Sequence, residues 1–450
     1  AVFTGTGASL TNNGTITGTS GVAVQFDAGV NTFTIGTGSV LNGTVDGGSG
    51  AGIVKFAGTG SIANTFANFG AGSAIDITSG ASWTATGRWT AASVVNAGTL
   101  QPGTLTTPLK VIGNFSQTSS GVLQVGLDAG GTGSQLQVSG TAALDGNVAV
   151  IPSGTFVTGA RKYTIITATG GVSGRFDGVT GGTLLLTPSL SYDAKDAFVT
   201  LTLQDASSGG GTGGGGTTPP GLKETPNEFA VAKAFDIGHK ADSAKFVSAL
   251  LGLDQFTKAA DLKSALDRMS GENNADISTA ALSAGRQFIN QFQQHSLLTR
   301  DTSDVWDVWG SFYTQTGRLD GDGNTHDMRG GATGGAGGVD YRISPSFRIG
   351  ASLGYGSSHF DLSENTGRGR LNYTDVAVTG DYTDGATYAT GLLGGAFGTG
   401  STSRDVSLPG LPARATAHVS NSQFLAAFEV GHKLWLDDDW TVTPFAGLDI

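Results

Sequence analysis

The chain has 450 residues and a formal net charge of −11 at pH 7, and it contains 74 glycines but no cysteine. Its length allows two or more domains, and the lack of cysteine excludes disulfides, thiol catalysis and cysteine-bound metals. The negative charge argues against a nucleic-acid partner, which requires a basic face.

Residues 1–105 alternate short β-branched strands with Gly-rich turns. Strand-like pieces such as Val22–Phe26 and Thr32–Ile35 recur roughly every ten residues, with a looser period near 20. This recurrence is typical of a solenoid, in which each coil stacks a few short strands on the next. It predicts a right-handed parallel β-helix over residues 1–105, with an antiparallel sandwich as the alternative.

Residues 106–205 have longer strands and more aromatic side chains, among them Phe115 and Tyr163. A β-helix needs a structure that covers its last coil, because an unpaired strand edge invites aggregation. We therefore expect this segment to close the solenoid as a C-terminal cap.

The periodicity changes after residues 206–221, a Gly/Pro-rich linker with no apolar residues for a core. In residues 222–303 apolar residues recur at helical spacing, and Thr225, Pro226 and Glu228 form a helix-start signature. The last helix, predicted from about Ala275 to Leu298, would be about 30 Å long, the thickness of a bilayer core. It is too polar for lipid, so it suits a water-filled pore.

In residues 304–450 apolar residues occupy every second position, as in the run Phe424, Ala426, Phe428, Val430. A period of two predicts strands with one apolar face. Tight turns near Pro345, Asp384 and Asp437–Asp439 alternate with longer loops, as in a membrane β-barrel with short periplasmic turns and long outer loops. The predicted loops are Gly317–Met328, Ser358–Gly369 and Gly400–Ala413. A soluble sheet with its apolar face turned inward is the alternative.

Four segments resemble a known family, the bacterial autotransporters of the type V secretion class. Leu262–Glu272 (LKSALDRMSGE) is similar to the family's LxxALDxLSGE signature, and Val305–Gly310 (VWDVWG) is similar to its first barrel strand. The segment from Tyr163 through Gly174–Asp177, together with Leu190–Asp193, resembles the folding-promoting end of a β-helical passenger. The resemblance covers nearly the whole chain.

The resemblance implies an all-β fold with a helical linker: a β-helical passenger, an autochaperone-like region over 106–205, a pore helix and an antiparallel outer-membrane β-barrel over 304–450. It implies a barrel in the outer membrane and a passenger at the cell surface or secreted. The implied partners are outer-membrane lipid, the outer-membrane assembly machinery and periplasmic chaperones. Family barrels have twelve strands, whereas about seven are predicted here and Ile450 falls within a strand. We therefore expect the barrel to be incomplete and the chain to be truncated at both ends.

Several motifs could carry chemistry. Gly350–Gly354 matches a nucleophile elbow around Ser352, with His359 and Asp361 nearby, but it lies within an alternating strand. Gly130–Gln135 and Asp320–Asn324 resemble calcium loops without their full ligand sets. The six histidines are scattered, with no metal-ligand pair at helical spacing: His239, His295, His326, His359, His418 and His432. We expect Ser352 to be a residue of the barrel wall, the two loops to be turns, and the histidines to lie on the surface or in the lumen. We expect no catalytic residue, metal or cofactor.

Asn273 and Asn274 are the candidate residues for passenger processing. In some self-cleaving relatives an asparagine cyclises within such a pair, inside the pore. The residues that follow here, Ala275 to Ser278, do not resemble that subgroup. An asparagine at a helix start is more often a cap.

The expected function is translocation and display of the chain's own β-helical passenger, as an adhesin or surface virulence-type factor that binds host or neighbouring cells. The alternative is a carrier whose enzymatic passenger, a protease, lipase or polysaccharide-active domain, lies upstream of residue 1. We find no nucleophile with a base and an orienting group in the sequence, so we do not expect an enzyme.

Overall fold

The computed structural model describes residues 1–157, 159–207, 223–241, 246–299, 302–436 and 440–450. The chain forms two compact units: Ala1–Leu222 with Lys233–Ala259, and Lys223–Ala232 with Ala260–Ile450. No helix among the described residues is long and apolar enough to cross a membrane. The predicted linker 206–221 and the predicted turn 437–439 lie wholly or almost wholly outside the described residues.

The first unit is a stack of short strands. In chain order they are β1 (Ser9–Asn12), β2 (Thr15–Gln25), β3 (Thr32–Ile35), β4 (Val40–Asp46), β5 (Ile53–Phe56), β6 (Thr59–Ile62), β7 (Phe66–Ala67), β8 (Ala74–Ile77), β9 (Ser82–Ala85), β10 (Gly87–Asn96), β11 (Thr99–Pro102), β12 (Leu109–Gln117), β13 (Val122–Asp128), β14 (Leu136–Val138), β15 (Ala142–Leu144), β16 (Asn147–Ser153), β17 (Gly159–Ala168), β18 (Val172–Gly174), β19 (Gly178–Gly181), β20 (Leu186–Tyr192) and β21 (Asp196–Leu203).

These strands form a parallel β-solenoid, which confirms the β-helix and excludes the antiparallel sandwich. One sheet runs β1-β3-β5-β8-β10-β12-β14-β17 and a second runs β6-β9-β11-β13-β16-β19. Every pair along these two paths is parallel, as in Thr32 opposite Ile53 and Ile53 opposite Ala74. Hydrogen bonds between neighbouring coils join residues 21 to 23 apart, close to the period near 20 found in the sequence.

The solenoid interior contains many aromatic side chains. Its largest fully buried side chains include Phe56, Phe66, Trp83 and Trp89, and the Phe56 and Trp89 rings stack with their centroids 5.1 Å apart. Burying one such side chain contributes about 1.5–3 kcal/mol. Among the buried amides, Asn96 Nδ2 donates to Gln117 Oε1 at 2.9 Å, while Asn96 Oδ1 has no hydrogen-bond partner among the described residues.

The solenoid ends in antiparallel strands. β17 pairs with β21, and β21 pairs with β20, both antiparallel. Only the last part of the predicted closing segment 106–205 therefore differs in topology from the coils before it, because β12 to β19 still pair in parallel. Residues 233–259 belong to the same unit: the backbone N–H of Leu184 donates to the carbonyl oxygen of Phe256 at 2.7 Å. The side chain of Asp236 accepts a hydrogen bond from the backbone N–H of Ala206.

Four helices follow within the described part of the chain: α1 (Pro226–Ala241), α2 (Val247–Leu253), α3 (Ala259–Met269) and α4 (Glu272–Thr299). The predicted capping box at the start of α1 is confirmed, because Glu228 N–H donates to Thr225 Oγ1 at 3.3 Å and Thr225 N–H donates to Glu228 Oε2 at 2.7 Å. The helix predicted from Ala275 to Leu298 is confirmed as α4, which begins three residues earlier.

The second unit contains a seven-stranded antiparallel half-barrel in the order β22-β23-β24-β25-β26-β27-β30. Its strands, with the small β28–β29 pair, are β22 (Trp306–Leu319), β23 (Met328–Ser344), β24 (Phe347–Leu362), β25 (Arg368–Asp384), β26 (Thr387–Asp405), β27 (Arg414–His432), β28 (Leu434–Trp435), β29 (Thr441–Val442) and β30 (Phe445–Asp449). A single 3₁₀ turn, Ser363–Asn365, follows β24. The predicted count of about seven strands agrees with this sheet.

The connections alternate between long and short, as predicted, but two predicted loops are too long. The structure places the loops at 320–327, 363–367 and 406–413, and β24 and β25 extend through most of the predicted loop Ser358–Gly369. Likewise β26 extends to Asp405, inside the predicted loop Gly400–Ala413. The polar composition of these strand ends suggested loops, but the backbone hydrogen bonds of a hairpin continue beyond its apolar part.

The two faces of the sheet have opposite character. Large apolar side chains are exposed on the outer face, with Phe312 94% and Phe424 67% accessible, and Phe428, Val430 and Trp440 are exposed as well. On the inner face Leu371, Leu392 and Leu425 are buried. A continuous exposed apolar surface of this kind marks contact with a membrane or a partner, and the predicted lipid-facing positions are confirmed as outward-facing.

Phe428→Arg tests the assigned face. A charge at a lipid-facing position near the bilayer midplane should cost about 2–4 kcal/mol of membrane stability, so assembled protein should fall sharply. The measurement is the fraction of heat-modifiable, folded protein in purified outer membranes. Phe428→Leu serves as the control and should assemble normally. Equal assembly of the two variants would show that the assigned face is wrong.

Candidate functional site: the inner face of the half-barrel

Helix α4 lies against the inner face of the seven-stranded sheet. Its central residues Phe288, Ile289 and Phe292 form a buried cluster with small or aliphatic wall residues. That wall consists of Ala336, Ala377, Leu392, Ala396, Leu425 and Ala427, with Trp309 packed beside them. A second cluster joins Ile277 and Ala281, from the first half of the helix, to Phe360 and Leu371. The apolar stripe of the helix thus spans the sheet.

Glycines on the wall make room for aromatic side chains. A Cβ added at Gly354 would lie 2.7 Å from a ring carbon of Phe288, and one at Gly356 would lie 2.5 Å from the Tyr373 hydroxyl. Contacts this short require the aromatic rings to move. Gly354 of β24 therefore sets how closely Phe288 of the helix can approach the sheet, and Gly356 makes room for Tyr373 within the wall.

Near its C-terminal end the helix is held by a histidine. His295 Nε2 lies 2.5 Å from Asp340 Oδ2 and 3.3 Å from Asp307 Oδ2, and its ring stacks on Trp309 at a centroid distance of 4.6 Å. The neighbouring Ser296 hydroxyl donates to Asp381. Side chains of three strands thus fix one turn of the helix.

The ends of α4 are also anchored to the wall. At the C-terminus Arg348 Nη1 donates to the carbonyl oxygen of Thr299 at 3.0 Å, a favourable place for a cation because the last carbonyls are unpaired and carry partial negative charge. At the N-terminus Arg404 Nη1 donates to Asn273 Oδ1 at 3.3 Å. Next to it, the Thr402 hydroxyl donates to Asn274 Oδ1.

Asn273 and Asn274 therefore lie inside the first turn of a helix that begins at Glu272, with their side chains bonded to β26. The cap interpretation is wrong for both residues, because their side chains reach the wall rather than the helix's own first N–H groups. The Nδ2 atom of Asn273 is buried without a hydrogen-bond partner among the described residues. Processing at this pair stays a prediction.

A second histidine joins the connection 320–327 to the helices. His326 Nδ1 lies 2.8 Å from Glu272 Oε2 and its Nε2 lies 2.9 Å from Asp267 Oδ2, while its backbone N–H donates to Glu272 Oε1 at 2.6 Å. In the same connection Asn324 Oδ1 accepts a hydrogen bond from Asn227 N–H at 2.9 Å. Burial alone lowers the pKa of His326, but the Glu272 hydrogen bond and the charges of Asp267, Glu272 and Glu364 outweigh it, so its pKa lies above the ordinary value.

The residues of the elbow-like motif do not form a catalytic site. Ser352 lies on the inner face in the middle of β24 and is buried, with its Oγ unpaired among the described residues. His359 and Asp361 are exposed on the outer face of the same strand. Alternate residues of a strand point to opposite sides of the sheet, so the three side chains cannot act together.

The two calcium-like loops are turns held by their own hydrogen bonds. In 130–135, Gly130 N–H donates to Asp128 Oδ1 at 2.7 Å. In 320–324, Asp322 Oδ1 accepts from the backbone N–H of Asn324 and Thr325, both at 3.0 Å. These bonds lower the pKa of Asp322, the one from Asn324 most strongly. The carboxylates are thus already used within the turns.

Sequence spacing did not reveal two three-residue groups that could hold a metal ion, His295 with Asp307 and Asp340, and His326 with Asp267 and Glu272. Their members are far apart in the sequence, and only the strand register brings them together. In the second group the two carboxylates bind opposite ring nitrogens of His326, which is the geometry of hydrogen bonding rather than coordination of one ion.

Residues 308–450 match the sequence profile described as the autotransporter beta-domain. This part of the chain is an autotransporter β-domain. No curated protein matches the chain. The match covers the strands from β22 to β30, except for the first two residues of β22. It therefore includes the sheet against which α4 packs.

The autotransporter assignment explains the architecture of both units. An autotransporter β-domain lies in the outer membrane and its passenger is displayed at the surface. The β-solenoid that precedes it is the passenger, translocated by way of the barrel. The outward apolar face of the half-barrel is then its lipid face, and the inner face with α4 is its lumen.

The His326 contact predicts a pH dependence. A raised folded pKa means that stabilisation is complete below the ordinary histidine value of 6.5 and is lost as the pH rises through the folded pKa. Hydrogen exchange in the connection 320–327 should therefore accelerate between roughly pH 6 and pH 8 by more than the intrinsic chemistry requires. The measurement is exchange by mass spectrometry on assembled protein.

The control for this measurement is His326→Gln, which keeps a donor but cannot be protonated. Its corrected exchange should be the same at both ends of the pH range. An equal acceleration in the wild type and in His326→Gln would show that the histidine does not hold this connection.

Proposed function

We propose that the passenger is an adhesin and not an enzyme, and that the outer surface of its solenoid binds host or neighbouring cells. The proposal rests on the rows of polar side chains that run across the coils on the second sheet. The longest runs through Ser61, Thr84, Gln101 and Gln124, which occupy one register on four neighbouring strands.

Two features of this row suit it to adhesion. Its amides are within reach of one another, with Thr84 Oγ1 donating to Gln101 Oε1 at 3.4 Å and Gln124 Nε2 donating to the same atom at 3.5 Å. They are also pre-ordered by the backbone ladder, so little conformational entropy is lost when a ligand binds. A flat, repeated hydrogen-bonding surface fits an extended ligand such as a glycan or another solenoid.

The test uses cells that display the protein. Adherence to a host-cell monolayer and to neighbouring cells of the same strain should depend on residues 1–105. Replacing both amides, Gln101→Ala with Gln124→Ala, removes two hydrogen-bonding side chains and should weaken adherence about tenfold. Adherence is measured at matched surface expression.

The matched control is Thr11→Ala with Thr34→Ala, which removes two outward polar side chains in neighbouring coils of the other sheet. It should leave adherence unchanged. The proposal fails if deletion of residues 1–105 leaves both kinds of adherence intact, or if purified passenger hydrolyses protein, ester or polysaccharide substrates.

For assembly we infer the partners that an outer-membrane β-domain requires, the outer-membrane assembly machinery and periplasmic chaperones. The exposed apolar band supports this, because such a surface aggregates in water unless it is shielded before insertion.

A further inference from the structure

The strand register places two cross-strand rows of basic residues on the lipid face, at the end of the sheet that carries the long connections. We name them the outer and inner basic rows. The outer basic row consists of Arg318, Arg329, Asp361, Arg368, Ser403 and Thr416. The inner basic row consists of Thr316, Gly331, His359, Arg370, Ser401 and His418.

Both rows are on the same face as the apolar band and directly beyond it. Along β24, His359 is separated from Tyr355 by one outward residue, and Tyr355 is 64% exposed. The inward residues on either side of His359, Ser358 and Phe360, are buried. At the other end of the sheet the outward positions are aromatic instead, including Trp306, whose ring lies 4.7 Å from that of Tyr341. The basic rows thus mark one membrane interface alone.

The positive charge in these rows is only partly balanced, with Asp361 opposite Arg329 and Arg368 in the register. Arg318 forms ion pairs with Asp320 and Asp327, both at 2.6 Å. Within the described residues, by contrast, neither Arg329 nor Arg370 has a carboxylate in ion-pair contact. Asp361 is the single acidic residue of the two rows.

Like charges directly opposite one another destabilise a sheet, and the register sets Arg318 against Arg329. A shallow groove with a volume of about 380 Å³ is lined by Arg318, Arg329 and His359, and also by the carboxylate of Asp361. Gly331 leaves a gap in the inner basic row beside it. The volume is at the small end of the range for small-molecule sites, so the groove can admit a headgroup but not the acyl chains.

We propose that the basic rows bind the phosphate groups of lipid headgroups in the outer leaflet, with the groove beside Arg329 and His359 as the main site. Long connections of outer-membrane barrels lie on the extracellular side, so the rows are at the depth of the outer headgroups. Arginine forms paired hydrogen bonds with phosphate, and basic clusters that adjoin a membrane segment recognise anionic headgroups. Bound phosphate would also neutralise the opposed cations.

The experiment uses the full chain, assembled in outer membranes and extracted in mild detergent. Lipid A, a disaccharide lipid with two phosphates, is titrated against the protein and the bound lipid is measured by native mass spectrometry. The wild type should bind lipid A at least tenfold more tightly than the same lipid with its phosphates removed, because charge-assisted hydrogen bonds are lost. Equal affinity for the two lipids overturns the proposal without any variant.

The variant Arg329→Gln with Arg370→Gln should bind lipid A about tenfold more weakly and bind the dephosphorylated lipid as the wild type does. The control, Arg88→Gln with Lys110→Gln, makes the same change of charge at exposed positions of the solenoid and should bind lipid A normally. Folding of each variant is verified by heat-modifiability. An unaltered affinity in the folded Arg329/Arg370 variant contradicts the assignment of the site.

A last arm separates the lipid from free phosphate. Inorganic phosphate at millimolar concentration should neither displace lipid A nor reproduce its effect, since the proposal requires a headgroup anchored by its acyl chains at the apolar band. Displacement of the lipid by inorganic phosphate alone would show a general anion site and overturn the assignment to lipid.

Discussion

Continuous pairing of backbone N–H and C=O groups between neighbouring strands is the constraint on which both halves of this chain depend. In the half-barrel no water is available at the lipid face to replace a missing hydrogen bond, so every strand must be paired along its membrane-facing length. The regular registers from β22 to β27 meet that demand, with one register irregularity near Arg342. In the solenoid the same backbone pairing runs between parallel coils. The side chains on each face of a sheet then differ according to whether that face contacts lipid, packed protein or solvent.

Once the backbone is paired, side-chain size decides where α4 can lie. The wall offers alanine and glycine at the positions that face Phe288 and Phe292, so the helix fits closely against the strands. Polar contacts then fix its register along the pore. They are concentrated near its two ends, where Arg404 binds Asn273 and His295 binds Asp340. Apolar packing holds the helix against the wall, and the polar contacts near its ends set its position along the pore.

Much of the fold could be predicted from the sequence because its signals are local. The alternation around Phe428, the capping box at Thr225 and the coil recurrence near Thr32 each involve a few consecutive residues, and the structure has the element that each predicts. The strand ends were less predictable. Polar residues such as His359 and Arg368 suggested loops, whereas they belong to strands that continue beyond the apolar band.

The contacts of the pore were not predictable, because they join residues with large and irregular separations. His295 and Asp340 are 45 positions apart, and Asn273 and Arg404 are 131 apart. No spacing rule connects such pairs until the register of the sheet is known. The orientation of α4 was not predictable either, because the polar residue Gln291 is buried while the apolar residue Leu282 is 65% exposed. Mixed small and polar residues on all sides of the helix gave too weak a period to orient it.

Cross-linking can show whether α4 lies against the inner face of the half-barrel. The chain has no cysteine, so Gln287→Cys with Gln315→Cys introduces a single pair, at two side chains that are hydrogen-bonded between α4 and β22. In assembled protein a short bis-thiosulfonate reagent should link this pair, seen as a shift in gel mobility. Leu282→Cys with Gln315→Cys should remain unlinked, because Leu282 is directed away from the sheet. Failure to link positions 287 and 315, or equal linking of the two pairs, would contradict the account.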